Sequence, residues 1–83
     1  MEDEKRIAII GIVVTNREDS GKKVNETLAA FGDIIVGRMG IPYKEKGISV
    51  ISVIADGTTD EIGALTGKLG NIAGVKAKVA LTY

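Results

Sequence analysis

The chain has 83 residues, with eleven basic and eleven acidic side chains and no formal net charge, so bulk charge draws it neither to nucleic acid nor to an anionic membrane. It has no cysteine and no histidine, which excludes disulfides, iron–sulfur thiolates and thiolate zinc sites and removes the commonest transition-metal ligand and general base. Such a chain is expected to form one domain, residues 1–83, burying roughly 60% of its unfolded surface, and self-association is the common remedy for that thin margin.

The first six residues, Met1 to Arg6, are charged and mainly acidic. The apolar run after them is too short to span a bilayer and ends without a small-residue cleavage pattern. It reads as a buried strand of a cytoplasmic protein with no membrane partner. Strand one is expected from Arg6 to Thr15. The loop from Asn16 to Gly21 offers several N-caps. A helix follows, with Val24, Leu28 and Phe31 on one face, and Gly32 suits a left-handed stop.

Strand two is expected from Ile34 to Ile41. Gly37 and Gly40 interrupt it and mark a bulge or a close backbone approach. Pro42 ends ladder pairing or sits on an edge. Tyr43 to Gly47 reads as a charged hairpin loop, and strand three runs from Ile48 to Ala55.

Asp56-Gly57 reads as a turn, and Thr58 with Glu61 as a capping box for helix two. That helix turns Ile62, Leu65 and Leu69 inward and closes at Gly70. Gly63 and Gly67 on its flank allow tight packing on a neighbour or open the backbone to a ligand. Strand four, Val75 to Leu81, alternates cleanly. Val75, Ala77, Val79 and Leu81 face one way, and Lys76, Lys78, Ala80 and Thr82 the other, as on a half-wet edge strand.

The order βαββαβ is the ferredoxin-like α+β arrangement: a four-stranded antiparallel sheet with two helices on one face. Its central strands are one and three. Those two strands, Ile7 to Val14 and Ile48 to Ala55, are apolar on both faces, where a sheet with one wet face should alternate. Helices cover one face of the sheet centre. The other is expected to meet a second copy.

The residues point to no catalytic machinery. The usual nucleophilic triads need a histidine or a cysteine. Ser49 and Ser52 lie within a strand, and Asp60 with Glu61 complement a helix dipole. Asp56, Asp60 and Glu61 match no calcium-loop spacing, and Asp33 is a turn residue. No metal or cofactor site is expected. Direct nucleic-acid binding is not expected either: the aromatics are Phe31, Tyr43 and Tyr83, none on a central strand, and there is no basic stripe.

Two segments are candidate ligand or interface residues. The first contains Gly37, Arg38, Met39, Gly40 and Tyr43. An arginine at a bulge can clamp a carboxylate or phosphate, or it can serve an inter-subunit salt bridge or a solvated edge. The second contains Asp56, Thr58 and Thr59, at a helix start that favours anions unless the cap already satisfies it.

Gly32 to Tyr43 and Asp56 to Leu69, two long and specific motifs, resemble a small family named for the iron-only hydrogenase system, and the resemblance extends from Arg6 to Leu81. Ile72-Ala73-Gly74-Val75 is similar to the passage into the last strand of ACT domains and of the ligand-binding domain of the nickel-responsive regulator. The resemblance implies an ACT-like fold and a regulatory, non-catalytic role. ACT-like relatives are oligomeric sensors that bind small ligands between subunits. It thus implies a homo-oligomer, dimer or tetramer, taking a small anionic or amino-acid-like ligand. The alternative is an adaptor or assembly factor that binds a hydrogenase maturation protein and no small ligand. Nickel sensing does not carry over, because its His and Cys ligands are missing here. Nothing before strand one reads as a DNA-binding segment, so a stand-alone transcription factor is not expected.

Overall fold

A computed structural model describes residues 4–15 and 19–82. The acidic start Met1 to Asp3, the cap candidates Asn16 to Glu18, and Tyr83 lie outside the described residues. The elements are β1 (Lys5–Thr15), α1 (Ser20–Ala30), β2 (Ile35–Tyr43), a 3₁₀ turn (Lys44–Lys46), β3 (Ile48–Thr58), α2 (Thr59–Gly70) and β4 (Val75–Leu81). They form one antiparallel sheet of four strands in the order β2-β3-β1-β4. The two strands that are apolar on both faces therefore hold the centre, as their composition required.

Alternation sorts the side chains of β1 and β3. Ala8, Ile10, Ile12 and Val14 of β1 lie buried on the helix side with Ile51, Val53 and Ala55 of β3. Val24 and Leu28 of α1 and Leu65 and Leu69 of α2 close over them, and Phe31 and Ile72 pack against the rim. Burying side chains of this kind is worth roughly 1.5–3 kcal/mol each before entropy is charged. The opposite face has no helix. There β1 turns out Ile7, Ile9 and Val13, and β3 turns out Ile48, Val50 and Ile54.

Several local expectations change. Asp56-Gly57 is no turn: β3 runs on to Thr58, with Asp56 opposite Ile7 and Gly57 opposite Arg6. The Asp56 N–H also donates to the Ile34 carbonyl at 2.8 Å. Gly57 sits in a tight spot, since a Cβ there would come within 3.1 Å of a Glu61 carboxylate oxygen and 3.3 Å of Ile34, which would have to give by a few tenths of an ångström. β2 continues through Pro42, opposite Ser49, to Tyr43, opposite Ile48. An edge strand tolerates proline, which has no N–H to donate to a ladder. The bulge falls between Ile35 and Gly37. Left-handed backbone occurs at Gly47 and Gly74, whereas Gly32 has no positive φ. α1 instead ends through short-range bonds, Phe31 N–H to Leu28 and Gly32 N–H to Ala29.

α1 begins at Ser20, so Gly21 lies inside it, and Asp19 gives no side-chain cap. The buried Ser20 hydroxyl donates instead to the Ala73 carbonyl at 2.7 Å, while the Thr15 N–H donates to Gly74 at 2.8 Å. These bonds tie the entry of α1 to the loop before β4. In α2, a Cβ at Gly63 or Gly67 would meet nothing within 4 Å. Neither glycine serves packing within the described chain. Gly63→Ala is therefore expected to raise stability by about 0.5–1 kcal/mol in urea denaturation, through helix propensity alone. A loss of stability would place a close neighbour at that flank. Among the described residues, no helix is long and apolar enough to cross a membrane.

Candidate functional site

The register of β2 against β3 decides where the first candidate segment points. Arg38 lies opposite Val53 and Gly40 opposite Ile51, so both belong to the helix side. Gly37, Met39 and Tyr43 lie opposite Ile54, Ser52 and Ile48, on the open face. One segment thus serves two surfaces.

On the helix side, α1 does not fully cover the β2 edge. The gap is a groove of about 200 Å³ lined by Gly21, Asn25, Arg38, Gly40, Pro42 and Ser49, among others. Asn25 stands on the α1 flank away from the Val24–Leu28 stripe, where it reaches the strand. Arg38 Nη2 donates to Asn25 Oδ1 at 2.8 Å. That bond uses one of the five guanidinium N–H donors and orients the planar fork. Gly40 keeps the strand side of the groove low, since a Cβ there would touch the Ile51 side chain at 3.6 Å. A positioned guanidinium beside backbone and a proline ring suits a small carboxylate or phosphate with a short apolar body.

The second segment has a different environment. Thr58 caps α2: its hydroxyl accepts from the Glu61 N–H at 3.1 Å, and the Glu61 carboxylate accepts from the Thr58 N–H at 2.8 Å. Those groups are satisfied within the chain, with Asp60 and Glu61 adding negative charge. Thr59 is exposed in the first turn, and Asp56 is exposed at the end of the open face. Tyr43 pairs with Ile48, eight residues along β3 from Asp56, a separation of roughly 27 Å. The candidate residues are thus not gathered into one pocket. Arg38 and Gly40 share the groove; Gly37, Met39 and Tyr43 share the open face with Asp56; Thr58 and Thr59 belong to the helix start.

Sequence reasoning missed Asn25, Gly21 and Ser49. Nothing in their own spacing marks them, because the groove exists only once α1 is laid beside β2. On the open face, Met39 is 63% exposed and Ile41 54%, with Tyr43, Val50 and Ile54 also exposed. The Lys46 ammonium stands 5.9 Å from the centroid of the Tyr43 ring, a cation–π contact at the corner of that face.

Comparison with known proteins bears on the family and the fold. The model of a TM1266-like family, described as "Iron-only hydrogenase system regulator, putative", matches residues 6–79. The structure of the uncharacterised protein TM1266 from Thermotoga maritima superposes with a TM-score of 0.94 at 41% identity, covering 96% of this chain and 100% of that one. The ACT domain of a GTP pyrophosphokinase from Chlorobium tepidum superposes with a TM-score of 0.79 at 19% identity, over 92% of this chain and 99% of that one. An unknown protein from Galdieria sulphuraria gives a TM-score of 0.61 at 10% identity, over 96% of this chain and 46% of that one. At such identities the last two speak for the fold alone, and the fold is ACT-like. No curated protein matches the sequence.

Proposed function

The chain belongs to the TM1266-like family, and from that premise we propose that it is a non-catalytic regulatory domain of the iron-only hydrogenase system, working as a homo-oligomer, that senses a small anionic or amino-acid-like ligand in the groove between α1 and β2. The observation that carries this reading is the exposed Arg38 guanidinium, held at 2.8 Å by Asn25 at the wall of an open groove of about 200 Å³. Free amino acids and nucleotides carry the carboxylate or phosphate that such a fork binds bidentately.

Isothermal titration against a panel of amino acids and nucleotides tests it. At least one compound is expected to bind. Arg38→Ala is expected to weaken that compound roughly ten- to hundred-fold, the worth of a charge-assisted hydrogen bond. Arg38→Lys keeps the charge without the fork and is expected to fall between. No heat of binding across the whole panel would overturn the reading.

A second reading is favoured by the apolar open face, where Met39, Ile41 and Tyr43 stand exposed. There the chain is an adaptor that docks a hydrogenase maturation protein and takes no small ligand. Recovery of such a protein in a pull-down, lost with Met39→Asp and kept with Arg38→Ala, would select it.

A further inference from the structure

Gly11 sits in the middle of a central strand and has no reason for being glycine within its own chain. Its φ is not positive. Pairing is unbroken on both sides of it, with Ser52 opposite on β3 and Lys78 opposite on β4. A Cβ built there would meet nothing within 4 Å. Glycine weakens a strand interior, and where neither bulge nor bend explains it, something outside approaches closely.

The surroundings identify what approaches. Gly11 and Ser52 form a shallow socket at the centre of the helix-free face, bordered by Ile9 and Ile54 on one side and Val13 and Val50 on the other. One position beyond Ser52 in the same row stands Met39, a large apolar side chain 63% exposed. Hole and knob are two strands apart. A two-fold axis along β3 exchanges them, seating Met39 of each protomer on Gly11 of the other. The same axis brings Ile41 over Val13 and leaves Lys76 and Lys78 beyond the β2 edge of the facing protomer, in water. Asp56 lies at the end of the face, exposed. Met39, Ile41, Val50 and Ile54 stand exposed and adjacent on this face, the kind of contiguous apolar patch that marks an interaction surface.

We propose that the helix-free face of the sheet is the self-association surface of this chain, with Gly11 as the socket for Met39 of a second copy. The inference rests on the homo-oligomer of the preceding subsection and not on its ligand.

Sedimentation equilibrium of the full chain tests it. The wild type is expected to associate at micromolar concentration. Gly11→Val is expected to weaken association at least 100-fold, while the dissociated subunit keeps its melting temperature or gains, since the valine fits the isolated chain. The double variant Gly11→Met with Met39→Gly exchanges knob and hole and is expected to restore much of the association. Arg38→Ala is expected to leave sedimentation unchanged, which separates failure of the ligand reading from failure of this one. A wild type that stays a single subunit near millimolar concentration would overturn the proposal. So would association indifferent to Gly11→Val, as edge-to-edge pairing or a different occupant of the face would give.

Discussion

Replacing Leu65 with alanine is expected to lower the unfolding free energy by about 2–5 kcal/mol. Leu65 is fully buried, within the cluster that joins α2 to Ile10 of β1 and Val53 of β3. The capping box at Thr58 fixes where α2 leaves the sheet, and Leu65 lies two turns in, where the helix presses on the central strands. Removing it leaves a cavity the rigid sheet closes only in part. For 83 residues the whole stability is on the order of 4–12 kcal/mol, so the loss is a large share of it. Urea denaturation at fixed protein concentration reads it as a lowered midpoint with an unchanged slope. A loss below about 1 kcal/mol would mean that α2 does not seat on the sheet as described. The contrast lies on the same helix: Gly63 faces open space, and filling it stabilises.

The centre of the fold was legible because its signal is redundant. Ile7 to Val14 has no polar residue and Ile48 to Ala55 only Ser49 and Ser52, and the βαββαβ order independently puts those strands in the middle. The ends were harder. Asp-Gly is a strong turn signal, yet Gly57 lies within β3, closely approached by Glu61, which folds back to close the capping box, and by Ile34, neighbours invisible in the dipeptide. Pro42 reads as a strand end or an edge residue, and the edge reading holds, because β2 is an outer strand of the sheet.

The candidate site was legible as a segment and not as a place. Arg38 and Met39 are neighbours in sequence and point to opposite faces. Their sides depend on the bulge before Gly37, since one residue of slip reverses a strand. Asn25, which holds the guanidinium, enters only after α1 and β2 are placed side by side.

Val50→Asp is expected to leave the fold intact and abolish self-association. Val50 is 37% exposed, in the middle of the helix-free face between Val13 and Ile41. In a lone subunit the carboxylate reaches water, so the cost is that of strand preference, within about 1 kcal/mol. Between two facing sheets, two carboxylates would be buried close together without a partner. That costs several kcal/mol, or roughly a 1000-fold loss in association at about 1.4 kcal/mol per tenfold. Melting curves recorded over a hundredfold range of protein concentration show the difference directly. The wild-type midpoint is expected to rise with concentration, because association stabilises the folded form by mass action. The Val50→Asp midpoint is expected to stay level and to meet the wild-type value at the dilute end. A wild-type midpoint that ignores concentration would mean that water, and not a second copy, covers Ile41, Val50 and Ile54.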